Sequence, residues 1–128
     1  MRVMADMSIS LIHHGHVRIL KKAAEYGEVV VGLPSDEDIK KYKNKLPVLK
    51  WEFRKEILEA ILYVSEVVLI PFAVTDEILD NHNAKFLIHG DDDVNVNLVS
   101  KDRLIVVPRT TNISSSMMCQ KANREEFK

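Results

Sequence analysis

Short apolar runs of strand length alternate with helical segments along this chain. The run Val29-Val30-Val31 is β-branched and is soon followed by Pro34, which is typical of a strand buried on both faces of a sheet. The preceding segment, residues 14–26, carries its apolar side chains at helical spacing. Because strands that are apolar throughout must be covered on both sides, this alternation predicts a parallel sheet between two layers of helices.

The predicted order is strand, helix, strand, helix, helix, strand, helix, strand, strand, helix. The predicted strands cover residues 1–8, 28–33, 67–72, 86–88 and 104–107. The predicted helices cover residues 14–26, a short stretch after Ser35, residues 51–64, residues 76–82, and a stretch from near Ser114. Gly27 is expected to end the first helix as a C′ residue. Ser35 is expected to cap the second, with Asp38 in the capping-box position. The expected fold class is therefore α/β: a three-layer, Rossmann-like, doubly wound sheet of about five parallel strands, in one domain spanning residues 1–128.

Histidines crowd the junction between the first strand and the first helix. His13, His14 and His16 surround Gly15. Two imidazoles three positions apart on the first turn of a helix lie on one face, and the helix N-terminus adds unpaired N–H groups. Because Gly15 has no Cβ, a phosphate can approach the backbone there. This pattern favours a phosphate site over the two alternatives, a solvated loop and an adventitious metal site.

Composition narrows the class of protein. The net charge is −1, so nothing global favours a nucleic-acid partner or a membrane surface. No apolar run has the length of a membrane span. The single cysteine, Cys119, cannot form an intramolecular disulfide and fits a reducing compartment. We therefore expect a cytoplasmic protein with no nucleic-acid or membrane partner.

Motifs near the two ends of the chain resemble those of the small cytidylyltransferase-like nucleotidyltransferases. The family pattern G-x-F-D-x-x-H-x-G-H stands here as MSISLIHHGH, residues 7–16, and R-T-x-G-I-S-T-T stands as RTTNISSS, residues 109–116. Between them lie a lysine loop, seen here as Lys43 and Lys45, and an E-x-R helix, seen here as Glu52 and Arg54. The chain departs from the pattern at Met7, Ser10 and Asn112, where the family has glycine, aspartate and glycine. The family includes glycerol-3-phosphate and ethanolamine-phosphate cytidylyltransferases, heptose-phosphate adenylyltransferases and archaeal FAD synthetases.

The resemblance implies an enzyme that moves a nucleoside monophosphate, with CMP favoured, from a nucleoside triphosphate to a small phosphate monoester and releases pyrophosphate. It also implies Mg²⁺ carried with the triphosphate and a homodimer. Because a phosphate monoester is mostly dianionic at neutral pH, the reaction needs positioning and charge neutralisation rather than a general base. Two alternatives stay open: an adenylyltransferase acting on a sugar phosphate or on FMN, and a nucleotide-binding module without catalysis.

The resemblance also assigns the site residues. The catalytic residues are His16, His13, Lys43 and Arg109. The nucleotide-binding residues are Ser8, Ile9, Gly15, Asp92, Thr110, Ile113, Ser114, Ser115 and Ser116. The substrate-binding residues are Lys45 and Arg54, and no residue is assigned to a metal. Structural alternatives remain for several of these assignments. His13 could order the loop, the lysines could form a solvated basic turn, and Arg54 could make a surface salt bridge with Glu52 or Glu56. Asp92 could lie in a solvated acidic turn, and Ser114 to Ser116 could form an ordinary N-cap.

Two further expectations rest on fewer residues. Trp51 and Phe53 stand at the expected solvent-facing start of a helix and suggest the dimer surface, although both could pack inside. CTP is expected in preference to ATP because residues 89–92 and 109–110 resemble the cytidylyltransferase pattern. In addition, the bulk of Met7 is expected to narrow the floor under the nucleotide.

Overall fold

Five parallel strands form one sheet in the computed structural model, which describes residues 1–9, 11–90 and 98–108. The strands are β1 (Arg2–Asp6), β2 (Glu28–Pro34), β3 (Val64–Ile70), β4 (Ala84–Gly90) and β5 (Leu104–Val107), in the order β3-β2-β1-β4-β5. The helices are α1 (His14–Ala24), α2 (Asp36–Lys43), α3 (Trp51–Glu59) and α4 (Asp76–Asn81). The predicted parallel α/β sheet is confirmed.

Alternate side chains along the strands lie on opposite faces of the sheet, where they pack into two separate apolar cores. Val3 and Ala5 of β1 belong to one buried cluster with Leu20 of α1 and Leu58 of α3. Met4, between them, belongs to a second cluster, which includes Leu79 of α4 and Leu87 of β4. Helices therefore cover both faces of the sheet. Each strand side chain in these clusters is removed from water, and this burial of apolar surface is the main driving force of folding.

The chain reverses its direction across the sheet beside β1. It moves outward from β1 to β2 and β3, then crosses back so that β4 pairs with the other side of β1. In open parallel sheets, ligands bind outside the carboxyl ends of the strands at such a switch point. The loop after β1, which leads to the three histidines, starts at this position.

The helix predicted for residues 51–64 is shorter and buries a different face. It ends at Glu59, and Val64 already pairs with Val29 as the first residue of β3. Of the apolar residues that the sequence places along this stretch, Leu58 is buried in the core, whereas Phe53 is 53% exposed and Leu62 is 90% exposed. The face of α3 that packs against the sheet carries Arg54 and Leu58, four residues apart.

Trp51 and Phe53 have different environments. The indole Nε1 of Trp51 donates a hydrogen bond to the Leu33 carbonyl at 3.0 Å, and the ring packs against the first core cluster. Trp51 is therefore half-buried against the core, which favours inside packing over a place on a partner surface. Phe53 remains exposed and available to a partner.

Gly27 does not end α1 in the expected way. The helix ends at Ala24 with Glu25 as C-cap, and among the described glycines none has a positive φ. The need for glycine is one of space: a Cβ at Gly27 would collide with the carbonyl oxygen of Met1. That carbonyl accepts a hydrogen bond from the Glu28 N–H at 2.8 Å and so starts the pairing of β1 with β2.

Within the described ranges, no helix is long and apolar enough to cross a membrane.

Candidate active site

The first turn of α1 is closed by two histidines. His13 is the N-cap residue, and its Nδ1 accepts a hydrogen bond from the Gly15 N–H at 3.1 Å. His16, at position N3, returns the contact: its Nδ1 accepts from the His13 N–H at 3.1 Å. The two rings lie with their centroids 3.9 Å apart. This reciprocal capping box uses imidazole nitrogens where serine and glutamate oxygens are usual.

The caps fix the proton positions on both rings. A ring nitrogen that accepts an N–H bond carries no proton, so the neutral imidazoles of His13 and His16 hold their proton on Nε2. Each Nε2–H is then a donor directed away from the helix backbone. The spacing of His13 and His16 thus places two Nε2–H donors of fixed orientation at a helix N-terminus, where the helix dipole also favours the binding of an anion.

The electrostatic environment keeps these rings neutral. Burial, followed by the neighbouring His13 and the charge of Lys43, lowers the pKa of His16 to about 3. Burial and the neighbouring His14 lower the pKa of His13 as well. His14 itself is exposed, as expected for a residue without a role in the site. At neutral pH, His16 acts as a hydrogen-bond donor and carries no formal charge.

We expect the free energy of unfolding to fall as the pH is lowered from 6.5 towards about 4. In this window the unfolded chain takes up a proton at His16, whereas the folded protein, with the pKa of His16 near 3, does not. Urea unfolding across this range should show a weaker pH dependence in His16→Ala than in wild type. The exposed His14→Ala provides the control: it leaves His16 in place and should keep a steeper slope than His16→Ala. Equal slopes in wild type and His16→Ala would contradict the low pKa.

Lys43 is placed beside this histidine pair. It is the last residue of α2 and is exposed, and its charge contributes to the lowered pKa of His16. Asn44 then ends the helix in the left-handed conformation, with φ 61°. Lys45 follows on the exposed loop. The structure therefore brings together His13, His16 and Lys43, three of the four residues assigned to catalysis.

The loop between β1 and α1 offers mainly backbone to a ligand. Ile9 is buried in the first core cluster and Ser8 is half-buried, so Ile9 could meet a nucleotide only through its main chain. Gly15 is buried under the cap. Met7 is only 6% exposed and packs in the same core cluster, while its N–H donates to the Gly32 carbonyl at 3.0 Å. The expectation that Met7 narrows the floor under the nucleotide stays a prediction.

A buried contact between a carboxylate and a histidine lies at the same edge of the sheet and was not anticipated. Asp6 ends β1, and His89 is the next-to-last residue of β4. Their Oδ1 and Nδ1 atoms are 2.7 Å apart, and both side chains are almost fully buried. The sequence offered one signal: an acid and a histidine at the carboxyl ends of two apolar strands. Their contact depends on β1 and β4 being neighbours, which no local pattern reveals.

Arg54 lies away from solvent. Its side chain is 0% exposed, and its ion-pair partner is Asp36, neither Glu52 nor Glu56. The surface salt bridge considered for Arg54 is therefore wrong, and as placed the guanidinium offers no surface to a substrate.

Several assigned residues fall outside the described part of the chain. They are Asp92, Arg109, Thr110, Ile113, Ser114, Ser115 and Ser116, together with Ser10, Asn112 and the helix expected from near Ser114. Their assignment continues to rest on the resemblance.

A parallel sheet whose switch point carries a capped helix N-terminus is an arrangement at which α/β proteins commonly bind the phosphate groups of nucleotides. The sequence pattern of the family described as "Cytidylyltransferase-like" matches residues 8–121, and the chain belongs to this family. The expectation of a nucleotidyltransferase is thus confirmed at the level of the family.

Curated relatives carry several activities. The chain is 40% identical over 93 residues to an ethanolamine-phosphate cytidylyltransferase of Mus musculus, covering 71% of this chain and 23% of that protein. It is 32% identical over 120 residues to the glycerol-3-phosphate cytidylyltransferase of Bacillus subtilis, covering 90% and 92%. It is 44% identical over 69 residues to a FAD synthase of Pyrococcus horikoshii, covering 53% and 47%. The chain spans about a quarter of the length of the ethanolamine-phosphate relatives.

A solved structure supports the fold. The lipopolysaccharide core biosynthesis protein from Thermoplasma volcanium superposes with a TM-score of 0.63 at 19% identity, covering 98% of this chain and 88% of that one.

Proposed function

We propose that this chain transfers CMP from CTP to a small phosphate monoester and releases pyrophosphate. The observation that carries the proposal is the histidine cap: two Nε2–H donors, fixed by their own backbone contacts, stand beside Lys43 at the helix N-terminus of a cytidylyltransferase-like protein. Hydrogen-bond donors that are already oriented towards the phosphate need not reorganise as negative charge grows in the transition state. Electrostatic stabilisation of this kind usually contributes most to the rate enhancement of an enzyme.

In the proposed reaction, an oxygen of the monoester attacks the α-phosphorus. The new P–O bond forms as the bond from the α-phosphorus to the bridging oxygen breaks, and pyrophosphate leaves with that electron pair. His13 and His16 donate to phosphate oxygens, and Lys43 supplies a mobile positive charge between donor and acceptor. By resemblance, Arg109, Thr110 and Ser114 to Ser116 would hold the remaining phosphates, and Asp92 would lie near the nucleoside.

The preference for CTP rests mainly on the relatives. The ethanolamine-phosphate and glycerol-3-phosphate relatives carry cytidylyltransferase names, and one of them is matched over nearly its whole length. A second candidate, AMP transfer to FMN, is supported by the identity to two Pyrococcus FAD synthases, at 44% and 41% over 69 residues.

Pyrophosphate release distinguishes these functions. Wild type and His16→Ala are assayed with CTP or ATP against ethanolamine phosphate, glycerol 3-phosphate, a heptose phosphate and FMN. We expect release with CTP and one of the small phosphorylated alcohols, and its loss in His16→Ala. Release only with ATP and FMN, or with ATP and the sugar phosphate, would replace the proposal by the adenylyltransferase alternative. No release with any pair would leave a nucleotide-binding module without catalysis.

We propose that Mg²⁺ enters with the triphosphate. In the described ranges no three His, Cys, Asp or Glu side chains form a group able to hold a metal ion. Phosphate oxygens and water would therefore supply most of its ligands, which suits the high cost of dehydrating this ion.

We also propose that the protein acts as a cytoplasmic homodimer. The outer side of α3 supports the dimer, because Phe53 and Ile57 are exposed one turn apart on it. Light scattering at micromolar concentration should give the mass of two chains, and Phe53→Ser should lower it towards one. A monomer mass for wild type would contradict the dimer.

A further inference from the structure

The buried Arg54 joins three parts of the chain that are separate in sequence. Its Nε donates to the Leu49 carbonyl at 3.1 Å, just before α3. Its Nη2 donates to the Pro34 carbonyl at 3.1 Å, at the end of β2, and to Asp36 Oδ1 at 2.6 Å, in the first turn of α2. One guanidinium therefore holds both ends of the segment from residue 35 to 50, which contains α2 and the lysine loop.

The first turn of α2 has further anchors. Ser35 caps it, with its Oγ accepting from the Asp38 N–H at 3.1 Å. Asp38 does not complete the expected capping box, because its carboxylate accepts from the Phe72 N–H at 3.3 Å. Phe72 also stacks on Tyr42, with ring centroids 4.6 Å apart. These contacts fix α2 to the loop after β3.

The two ends of α2 differ in charge and in surroundings. The acidic first turn holds the anchoring side chains Asp36 and Asp38, whereas the basic last turn is exposed and ends at Lys43, beside His16. Tyr42, which stacks on Phe72, precedes Lys43 in this last turn, so anchors at both ends of α2 together determine where Lys43 lies.

We propose that Arg54 and Asp36 are positioning residues, which hold α2 so that Lys43 stands beside the histidine pair; this rests on the proposed function. The geometry opposes a direct contact with substrate. Arg54 Nη1 is buried and has no hydrogen-bond partner among the described residues, yet it has no accessible surface through which a phosphate could reach it. The guanidinium thus leaves both N–H donors of Nη1 unsatisfied, while Nε and Nη2 meet three fixed acceptors, a fork that lysine cannot reproduce.

A double-mutant cycle tests this role. Asp36→Asn removes the charge of the anchor at constant size, and Glu37→Gln is the matched control, because Glu37 is exposed on the same turn. We expect Asp36→Asn to lower kcat about tenfold or more, since a small misplacement of a catalytic group is costly. Glu37→Gln should stay near wild type. In a Lys43→Ala background, Asp36→Asn should cause no further loss, whereas damage unrelated to Lys43 would persist there.

Hydrogen exchange provides a readout that does not depend on activity. Exchange across residues 36–44 should be faster in Asp36→Asn than in wild type, with Glu37→Gln unchanged. Full activity in Asp36→Asn, a loss that persists in the Lys43→Ala background, or unchanged exchange would each overturn the positioning role. Full activity of Lys43→Ala would instead remove Lys43 from the proposed mechanism, so the two failures are distinguishable.

Discussion

Replacing His16 by alanine is expected to lower kcat by about 10²–10³ while the protein stays folded. The Nε2–H of this residue is a donor whose direction is fixed by the hydrogen bond that its Nδ1 accepts from the His13 N–H. Such a donor strengthens as charge develops on the phosphate, so its loss affects the transition state more than substrate binding. Steady-state kinetics should therefore show a large fall in kcat with a smaller change in KM.

Two further variants separate catalysis from helix capping. His16→Asn leaves a side-chain oxygen that can accept from the His13 N–H, but it removes the outward imidazole donor. We expect it to unfold near the wild-type temperature and to remain as inactive as His16→Ala. The exposed neighbour provides the control, and His14→Ala should keep wild-type turnover. Turnover within about threefold of wild type in His16→Ala would show that His16 has only a structural role.

Replacing Arg54 by methionine is expected to lower the free energy of unfolding by about 3 kcal/mol. The change leaves the Leu49 and Pro34 carbonyls without their donor and leaves the Asp36 carboxylate unpaired. The expected loss lies at the lower end of the range for breaking a buried ion pair, because the Asp36 side chain is 30% exposed and keeps contact with water.

Urea unfolding measures this loss, with Arg18→Met as the matched control. Arg18 lies exposed on α1, and its replacement should change stability by less than about 0.5 kcal/mol. A similar stability for Arg54→Met and Arg18→Met would mean that the buried contacts of Arg54 contribute little net free energy.

The strands and their order of appearance were accessible from the sequence, because β-branched runs such as Val29 to Val31 specify burial on both faces locally. The end of α3 was not. Apolar residues continue past Glu59 into β3, and periodicity alone does not show where the backbone changes from helix to strand.

The histidine donors could be located from the sequence, since their three-residue spacing places them on one helical turn. The burial of Arg54 and the pairing of Asp6 with His89 could not. Two of the three partners of Arg54 lie 18 and 20 residues away along the chain, and the partner of Asp6 lies 83 residues away, so these groups meet only once the strands have paired. From the sequence, a charged residue on an amphipathic helix is expected at the surface or at a substrate. In the structure, Arg54 is instead buried and bonded to two carbonyls and a carboxylate.

The histidine cap has a consequence for how ligand and protein respond to each other. Each ring accepts a backbone N–H at Nδ1 and presents Nε2–H outward, so a phosphate oxygen bound there would complete a continuous chain from anion through imidazole to peptide. Hydrogen bonds in such chains polarise one another. Electron density drawn into the ring at one nitrogen makes the other a better acceptor, and nucleotide occupancy would thereby tighten the first turn of α1. Binding of an anion at the imidazole Nε2–H groups would thus strengthen the cap hydrogen bonds at Nδ1 and make the backbone of this first turn more rigid.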